Sequence, residues 1–281
     1  MSSILTNNSA MVALQTLKSI NADLGKTQNA ISTGKDIANA KDGSAIWAIS
    51  KVMETDVAGF EAVSDALSLG ESTVAVASAG ADQIVGVLKD IKKLAVSANS
   101  ENVDFGKIQA EIGERAAQVA SIISAAQFNG ANLLATDVDG NGGTSMSVLS
   151  SLDRVGSAAP TPNPITVSSV DFEASIDLVN NLTAITDTAT AATALGEIET
   201  FLTTAIDGAA ALGASAKRIE DQNSFVGKLM DAMKSGIGSL VDADMEAASA
   251  RLQALQTQQQ LGVQALSIAN QAPQTILSLF R

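Results

Sequence analysis

The sequence predicts a mainly α-helical protein: an elongated coiled-coil helical rod of long antiparallel helices, with paired terminal helices and a small β-containing central excursion. Apolar residues alternate at spacings of three and four over long stretches, which is the pattern of coiled coils. The chain has one Trp, seven Phe and no Tyr. An Ala-rich interior with so few aromatic side chains suits close helix–helix packing better than a large globular core.

Composition excludes several classes of function. The 281 residues include no Cys and no His, and the net charge is −13. Disulfides, a Ser-His-Asp triad and a His-based zinc site are therefore impossible. An acidic chain with few aromatic residues is also poorly suited to nucleic acid, because phosphate contacts need clustered Lys and Arg. We expect no enzyme activity, no catalytic residue, no cofactor and no metal.

The first predicted element is a helix near the N-terminus. Its 3-4 register runs through Ala10, Leu14, Leu17, Asn21, Leu24, Gln28 and Ile31. The segment GKDIANAKDGS at 34–44 then ends it, because Gly, Asp and Asn favour turns.

The second predicted helix is too long for a globule. The register holds from Ile46 to Ala98, broken only by Asp56 and Gly70. A helix of that length spans about 80 Å at 1.5 Å per residue, whereas a compact chain of this size has a diameter of roughly 50 Å. A rod follows. A further register continues through Phe105, Ile108, Ile112, Val119, Ile122 and Ala126.

The middle of the chain breaks the helical pattern. Residues 136–171 hold three of the four Pro and many Gly, Ser and Thr. Residues 145–149 and 165–170 could form short strands. We interpret the segment as a surface excursion at the far tip of the rod; the alternative is a disordered linker between two domains.

The second half mirrors the first. Twelve register positions from Leu195 to Met233 are apolar except Asn223. The segment SGIGSLVDAD at 235–244 should break the helix, with Asp242 or Asp244 capping the last one. Pro273 should interrupt the hydrogen-bond ladder of that last helix near the C-terminus. The two breaks stand at mirrored distances from the ends, which suggests one junction that the chain crosses twice.

Charge separates the ends from the body. Residues 1–33 and 245–281 each carry a net charge of +1. Because the net charge of the whole chain is −13, residues 34–244 carry −15. Low charge is expected where partners crowd a segment; the alternative is two ordinary helices docked on the body. No signal peptide and no apolar run of transmembrane length is visible, which leaves the cytoplasm or export without a cleavable signal.

Two smaller motifs have modest interpretations. DVDGNGG at 137–143 begins like a calcium loop, but Val148 stands where the twelfth-position Glu would be, so calcium is not expected. The Gln-rich run at 256–260 fits either a polar channel lining or a solvated helix face.

The ends of the chain resemble bacterial flagellin, in its short type with a reduced outer domain. The N-terminal match includes Ile4, Thr6, Asn7, Leu14, Leu24, ISTG at 31–34, NAKD at 39–42, AIS at 48–50, LAV at 94–96, FNG at 128–130 and LL at 133–134. The C-terminal match includes LGA at 212–214, RI at 218–219, DAD at 242–244, Ala265, AN at 269–270, PQ at 273–274 and ILSLFR at 276–281.

The resemblance implies a domain organisation and a function. Residues 1–34 and 245–281 would pair as the inner, channel-lining domain; 35–135 and 172–244 would form the helical rod; 136–171 would be a short exposed variable segment. The chain would self-assemble into the extracellular flagellar filament for swimming motility. Its partners would be other flagellin subunits, the export apparatus, a chaperone for the C-terminal segment, and hook-associated and cap proteins, with no nucleic acid and no membrane. Terminal assembly residues would be Leu14, Leu17, Leu24, Ile31, Leu252, Leu255, Leu266, Ile276 and Phe280.

The resemblance also marks a segment that the innate flagellin receptor reads in this family. Its equivalents here are Lys89, Asp90, Lys93 and Leu94. Many flagellins carry an Arg and then a Glu before the Leu, whereas this chain has Asp90 and Lys93. The reversed charges predict weak receptor activation, unless Lys89 or Lys92 compensates.

Two other functions stay open. A hook–filament junction protein would share the fold without polymerising alone. A membrane-active secreted protein would use its amphipathic ends, although membrane-surface helices usually carry more Lys and Arg than the two basic residues at each end.

Overall fold

A computed structural model describes residues 7–154 and 158–278, with side chains as far as residue 271. Its elements are, in chain order, α1 (Asn8–Thr33), α2 (Ser44–Ser97), α3 (Phe105–Ala125), β1 (Ser145–Asp153), β2 (Thr161–Ser168), α4 (Phe172–Ser175), α5 (Thr188–Val241) and α6 (Met245–Ser278). The mainly α class with very long helices is confirmed, since α2 and α5 have 54 residues each. The chain divides into two compact units, one holding Ala58–Met230 and the other the described residues on either side.

The break predicted at 235–244 is too long. Helix α5 continues to Val241 through Gly236 and Gly238, and only three residues separate it from α6. The physical reason is burial: Ile237 and Val241 pack with Val57 in an apolar cluster, which outweighs the low helix propensity of glycine. The division into units does not decide the predicted domain limits, which stay a prediction.

The two breaks meet, as the mirrored spacing suggested. Lys35 and Asp242 form an antiparallel bridge. The Asp36 N–H donates to the Val241 carbonyl at 2.8 Å, and the Ala243 N–H donates to the Gly34 carbonyl at 2.9 Å. The chain therefore passes twice through one junction, directly beside the Val57 cluster.

The core of the unit Ala58–Met230 follows the predicted registers of α2 and α5. These helices run antiparallel, because Ser64 contacts Asn223 while Lys92 pairs with Glu199. Their inward positions are nearly inaccessible to solvent, including Val63, Leu67, Val74, Ile84, Leu88, Ile91, Ile198, Leu212, Ile219 and Val226. In α3 the buried position near the end is Ile123, one residue after the predicted Ile122.

The central strands form an antiparallel hairpin that pairs Val148 with Ile165. Both strands exist, with longer bounds than predicted. The hairpin lies along α2 and not beyond its end: a Cβ at Gly70 would meet Val148 at 2.6 Å, and one at Gly59 would meet Leu152 at 2.8 Å. The expected position at a far tip is wrong because the apolar inner face of the hairpin needs cover, which glycines on α2 provide at close range.

Candidate functional site on the terminal helices

Helix α1 begins and ends with capping residues. The Asn7 Oδ1 accepts the Ala10 N–H at 3.0 Å, so its side chain satisfies one of the unpaired donors of the first turn. Gly34 ends the helix with φ of 70°, a left-handed conformation that glycine adopts without a Cβ clash. These caps fix α1 to 26 residues.

Helix α6 begins at the predicted cap. Of the two candidates, Asp244 is the cap: its Oδ1 accepts the N–H groups of Glu246 and Ala247 at 3.0 and 3.1 Å. Pro273 interrupts the hydrogen-bond ladder as predicted, because it has no N–H, but it does not end the helix: α6 continues to Ser278. A proline removes one helix donor but does not have to end a helix whose freed carbonyl finds another partner.

The two helices pack antiparallel. Leu17 lies over Gly262, where an added Cβ would be 3.1 Å from the Leu17 Cδ1. Next to this contact, the Gln259 Nε2 donates to the Asn21 Oδ1 at 2.7 Å. The predicted pairing of the terminal helices is thus present, and it includes a hydrogen bond between two polar side chains.

The face of α1 that meets α6 differs from the predicted register at alternate positions. Leu17, Leu24 and Ile31 are half-buried as expected, and so are Ile20 and Ala13. Leu14, in contrast, is exposed. The register therefore runs through 13, 20 and 27 instead of 14, 21 and 28, which is the alternative 3-4 path between the same fixed positions.

On α6, Leu255 is buried, and Leu252 and Leu266 are half-buried. Gly262 is part of the same face, as its place in the 3-4 spacing of Leu255, Gln259, Gly262 and Leu266 predicts, although it is not among the predicted assembly residues. A residue without a side chain at this place allows the two helices to approach closely. Of the other predicted assembly residues, the Ile276 side chain and the whole of Phe280 lie outside the described residues.

An apolar face of both helices remains uncovered in the single chain. Large side chains on it are between 44% and 70% exposed: Met11, Val12, Leu14, Met245, Leu261, Val263 and Ile268. Exposed apolar patches of this kind mark protein–protein contact sites. The helices carry few charges, Lys18, Asp23 and Lys26 on α1 and Glu246 and Arg251 on α6. The face can therefore be buried against another protein with little cost of charge desolvation.

The predicted receptor segment lies on α2, in the other compact unit. Lys89 and Lys93 are exposed, while Leu94 is half-buried. The Lys93 ammonium lies 2.9 Å from the Asp90 Oδ1, and this hydrogen bond lowers the pKa of Asp90. Lys92 is engaged by Glu199 of α5. The two reversed charges thus pair with each other on the helix surface.

The acidic loop at 137–143 holds its own carboxylates by backbone donors. Asp137 accepts the Gly142 N–H at 2.8 Å, and Asp139 accepts the N–H groups of Asn141 and Gly143 at 3.0 Å. These bonds lower the pKa of Asp139. Within the described ranges no group of three or more acidic residues is placed to hold a metal ion. None of the described helices is long and apolar enough to cross a membrane.

Comparison with known proteins identifies relatives over the whole chain. Residues 4–139 match the model of the bacterial flagellin N-terminal helical region, and residues 195–280 match that of the C-terminal helical region. A flagellin of Brucella melitensis is 45% identical, covering 100% of both chains. Flagellin FljM of Caulobacter vibrioides is 40% identical, covering 100% of this chain and 99% of the relative. Flagellin C of Rhizobium meliloti is 36% identical, again over the full length of both.

Proposed function

The chain belongs to the bacterial flagellin family and is a structural, non-enzymatic subunit of the flagellar filament, and from this premise we propose that subunits polymerise through the paired helices α1 and α6. The observation that carries the proposal is the uncovered apolar face of these two helices. This apolar face is wider than the contact between α1 and α6, because Val12, Leu261 and Ile268 are exposed and lie outside that contact. Neighbouring copies of the chain supply the missing cover.

The energetics favour this surface for assembly. Burying one large aliphatic side chain completely stabilises a complex by about 1.5–3 kcal/mol. Several such residues on each subunit offset the entropy lost on association. The body between the ends carries −15, so the termini are the part of the chain where contact between subunits meets the least electrostatic repulsion.

Before assembly the same face is a liability. Isolated helices of this length are marginal in water, because nucleation is unfavourable and the apolar face has no partner. We therefore expect the ends to be largely unfolded in the free subunit and helical in the filament. Ends that are unfolded before assembly fit the partners expected for this chain. These are a chaperone that covers the C-terminal segment, an export route without a cleavable signal, and later contacts with hook-associated and cap proteins.

An exchange of one methyl for one hydroxyl tests the surface without disturbing the fold. We expect Val12→Thr to slow polymerisation and raise the critical concentration. Val179→Thr is the matched control, since Val179 is equally exposed but lies in the other compact unit. Equal effects of the two variants would contradict the assignment. Removal of residues 245–281 should abolish filaments, and a wild-type chain that never polymerises alone would favour the hook–filament junction function.

We also propose that this subunit activates the innate flagellin receptor weakly. Asp90 and Lys93 neutralise each other and reverse the charges usual in the family segment. We expect Asp90→Arg to raise activation in a reporter-cell assay, with Glu101→Arg as a charge control on an exposed residue outside the segment. Strong activation by the unmodified chain, unchanged by Asp90→Arg, would refute this proposal.

A further inference from the structure

The side-chain amide of Asn7 makes two bonds at once. Its Oδ1 caps α1 by accepting the Ala10 N–H, while its Nδ2 donates to the carbonyl oxygen of Ala269 on α6 at 2.7 Å. The second bond joins residues 262 positions apart and ties the start of α1 to one carbonyl near the end of α6.

The carbonyl oxygen of Ala269 lacks its usual donor within the helix. In an α-helix the oxygen of residue 269 accepts the N–H of residue 273, and residue 273 is a proline without an N–H. Ala269 is half-buried, and its hydrogen bond with Asn7 is partly buried. A carbonyl left without a donor in such a place is costly. The Asn7 amide replaces the donor that Pro273 lacks.

We propose that Asn7 and Pro273 act together to set the register of α1 against α6. Apart from the Gln259–Asn21 hydrogen bond, the rest of the contact is small or aliphatic, and such contacts tolerate a shift by one or two helical turns. Pro273 is the one proline in the sequence of α6, so it frees its acceptor carbonyl at a single level of the helix. The Asn7 donor is satisfied only when α1 stands at that level, so each subunit presents its apolar face in one alignment.

The inference rests on the proposed role of α1 and α6 in assembly, and it explains why an amide is needed. Asp caps a helix as well as Asn does. It has no donor, however, and Asn7→Asp would place a carboxylate oxygen against the Ala269 carbonyl. The matched control is Asn21→Asp on the same helix. There the side chain is the acceptor from Gln259, and a carboxylate accepts that bond equally well.

The test is polymerisation of the full-length chain. We expect Asn7→Asp to raise the critical concentration about tenfold, because the free-energy cost of an unsatisfied carbonyl corresponds to a change of about that size in an equilibrium constant. Asn21→Asp should leave the critical concentration within about twofold. Pro273→Ala returns the N–H to Ala269, so Asn7→Asp should have much less effect in that background. Equal effects of Asn7→Asp with and without Pro273 would overturn the proposal.

Crosslinking measures the register itself. The chain has no native Cys, so Leu17→Cys with Gly262→Cys reports the alignment through a short bis-maleimide, and Leu17→Cys with Leu266→Cys reports a one-turn shift. We expect Asn7→Asp to move yield from the first pair to the second, and an unchanged ratio would overturn the proposal. The ratio is measured in filaments, where both ends are helical. A wild-type chain that does not polymerise would refute the proposed assembly role, whereas an unchanged ratio in filaments of normal yield would refute the register alone.

Discussion

Because the central hairpin packs on α2, replacing a glycine of α2 by alanine should destabilise the protein at Gly70, where the hairpin lies, and stabilise it at Gly86. Gly70→Ala adds a Cβ that lies 2.6 Å from the Val148 Cγ2 and 2.8 Å from its Cγ1. Val148 is buried, has a stiff β-branched side chain and is paired with Ile165, so it cannot move aside easily. Overpacking costs about 1–3 kcal/mol, against about 1 kcal/mol gained in helix propensity. We expect a net loss of about 1 kcal/mol in the free energy of unfolding.

Gly86→Ala is the matched control. No neighbouring atom lies within 4 Å of a Cβ added there, so only the gain in propensity remains. The free energy of unfolding should rise by about 1 kcal/mol. Urea denaturation followed by circular dichroism measures both variants. In a Val148→Ala background the two closest atoms are absent, so Gly70→Ala should cost much less there than in the wild-type chain. If Gly70→Ala is as stabilising as Gly86→Ala, the hairpin does not pack where the structure has it.

Three further predictions follow from charges and caps. Added salt should speed filament growth, because −15 on each subunit body is screened over about 10 Å at 0.1 M; growth rates independent of ionic strength would contradict this. Asp244→Ala should raise the critical concentration about fivefold by removing the cap of α6, whereas Asp244→Asn, which keeps the cap, should not. Asp187 caps α5 through the Thr190 N–H, which lowers its pKa. Its stabilisation is therefore present above pH about 4 and lost as the pH falls through the lower native value, and Asp187→Asn should flatten that part of a pH–stability curve.

The long registers of α2 and α5 could be predicted because many turns repeat one pattern. One polar residue such as Asn223 does not disturb it, and the structure gives that residue two partners on α2: the Ser64 hydroxyl donates to its Oδ1 at 2.8 Å, and its Nδ2 donates to the Ser68 Oγ at 3.3 Å. Such pairing between distant segments is invisible in a single sequence, where the residue is only an exception.

The errors have a common physical origin. In α1 two apolar registers share Leu17, Leu24 and Ile31. The large side chain of Leu14 favoured the register that the structure does not have, because the choice between the two depends on the partner helix α6. Similarly, Gly236, Gly238 and Pro273 favour helix breaks locally, but tertiary contacts decide. Burial of Val241 keeps α5 helical, and the Asn7 amide serves the carbonyl that Pro273 frees. Local propensity was overruled wherever a distant segment supplied the missing interaction.

The most direct test of the central claim compares solvent access to the uncovered face before and after assembly. Val12→Cys and Ile268→Cys each place a single thiol on that face, and Val179→Cys places one in the other compact unit. Maleimide labelling should be fast for all three in the free subunit. In the filament, labelling at 12 and 268 should slow by about tenfold or more, as expected for a buried contact, while labelling at 179 changes little. Equal labelling of 12 and 268 in subunit and filament would contradict assembly through α1 and α6.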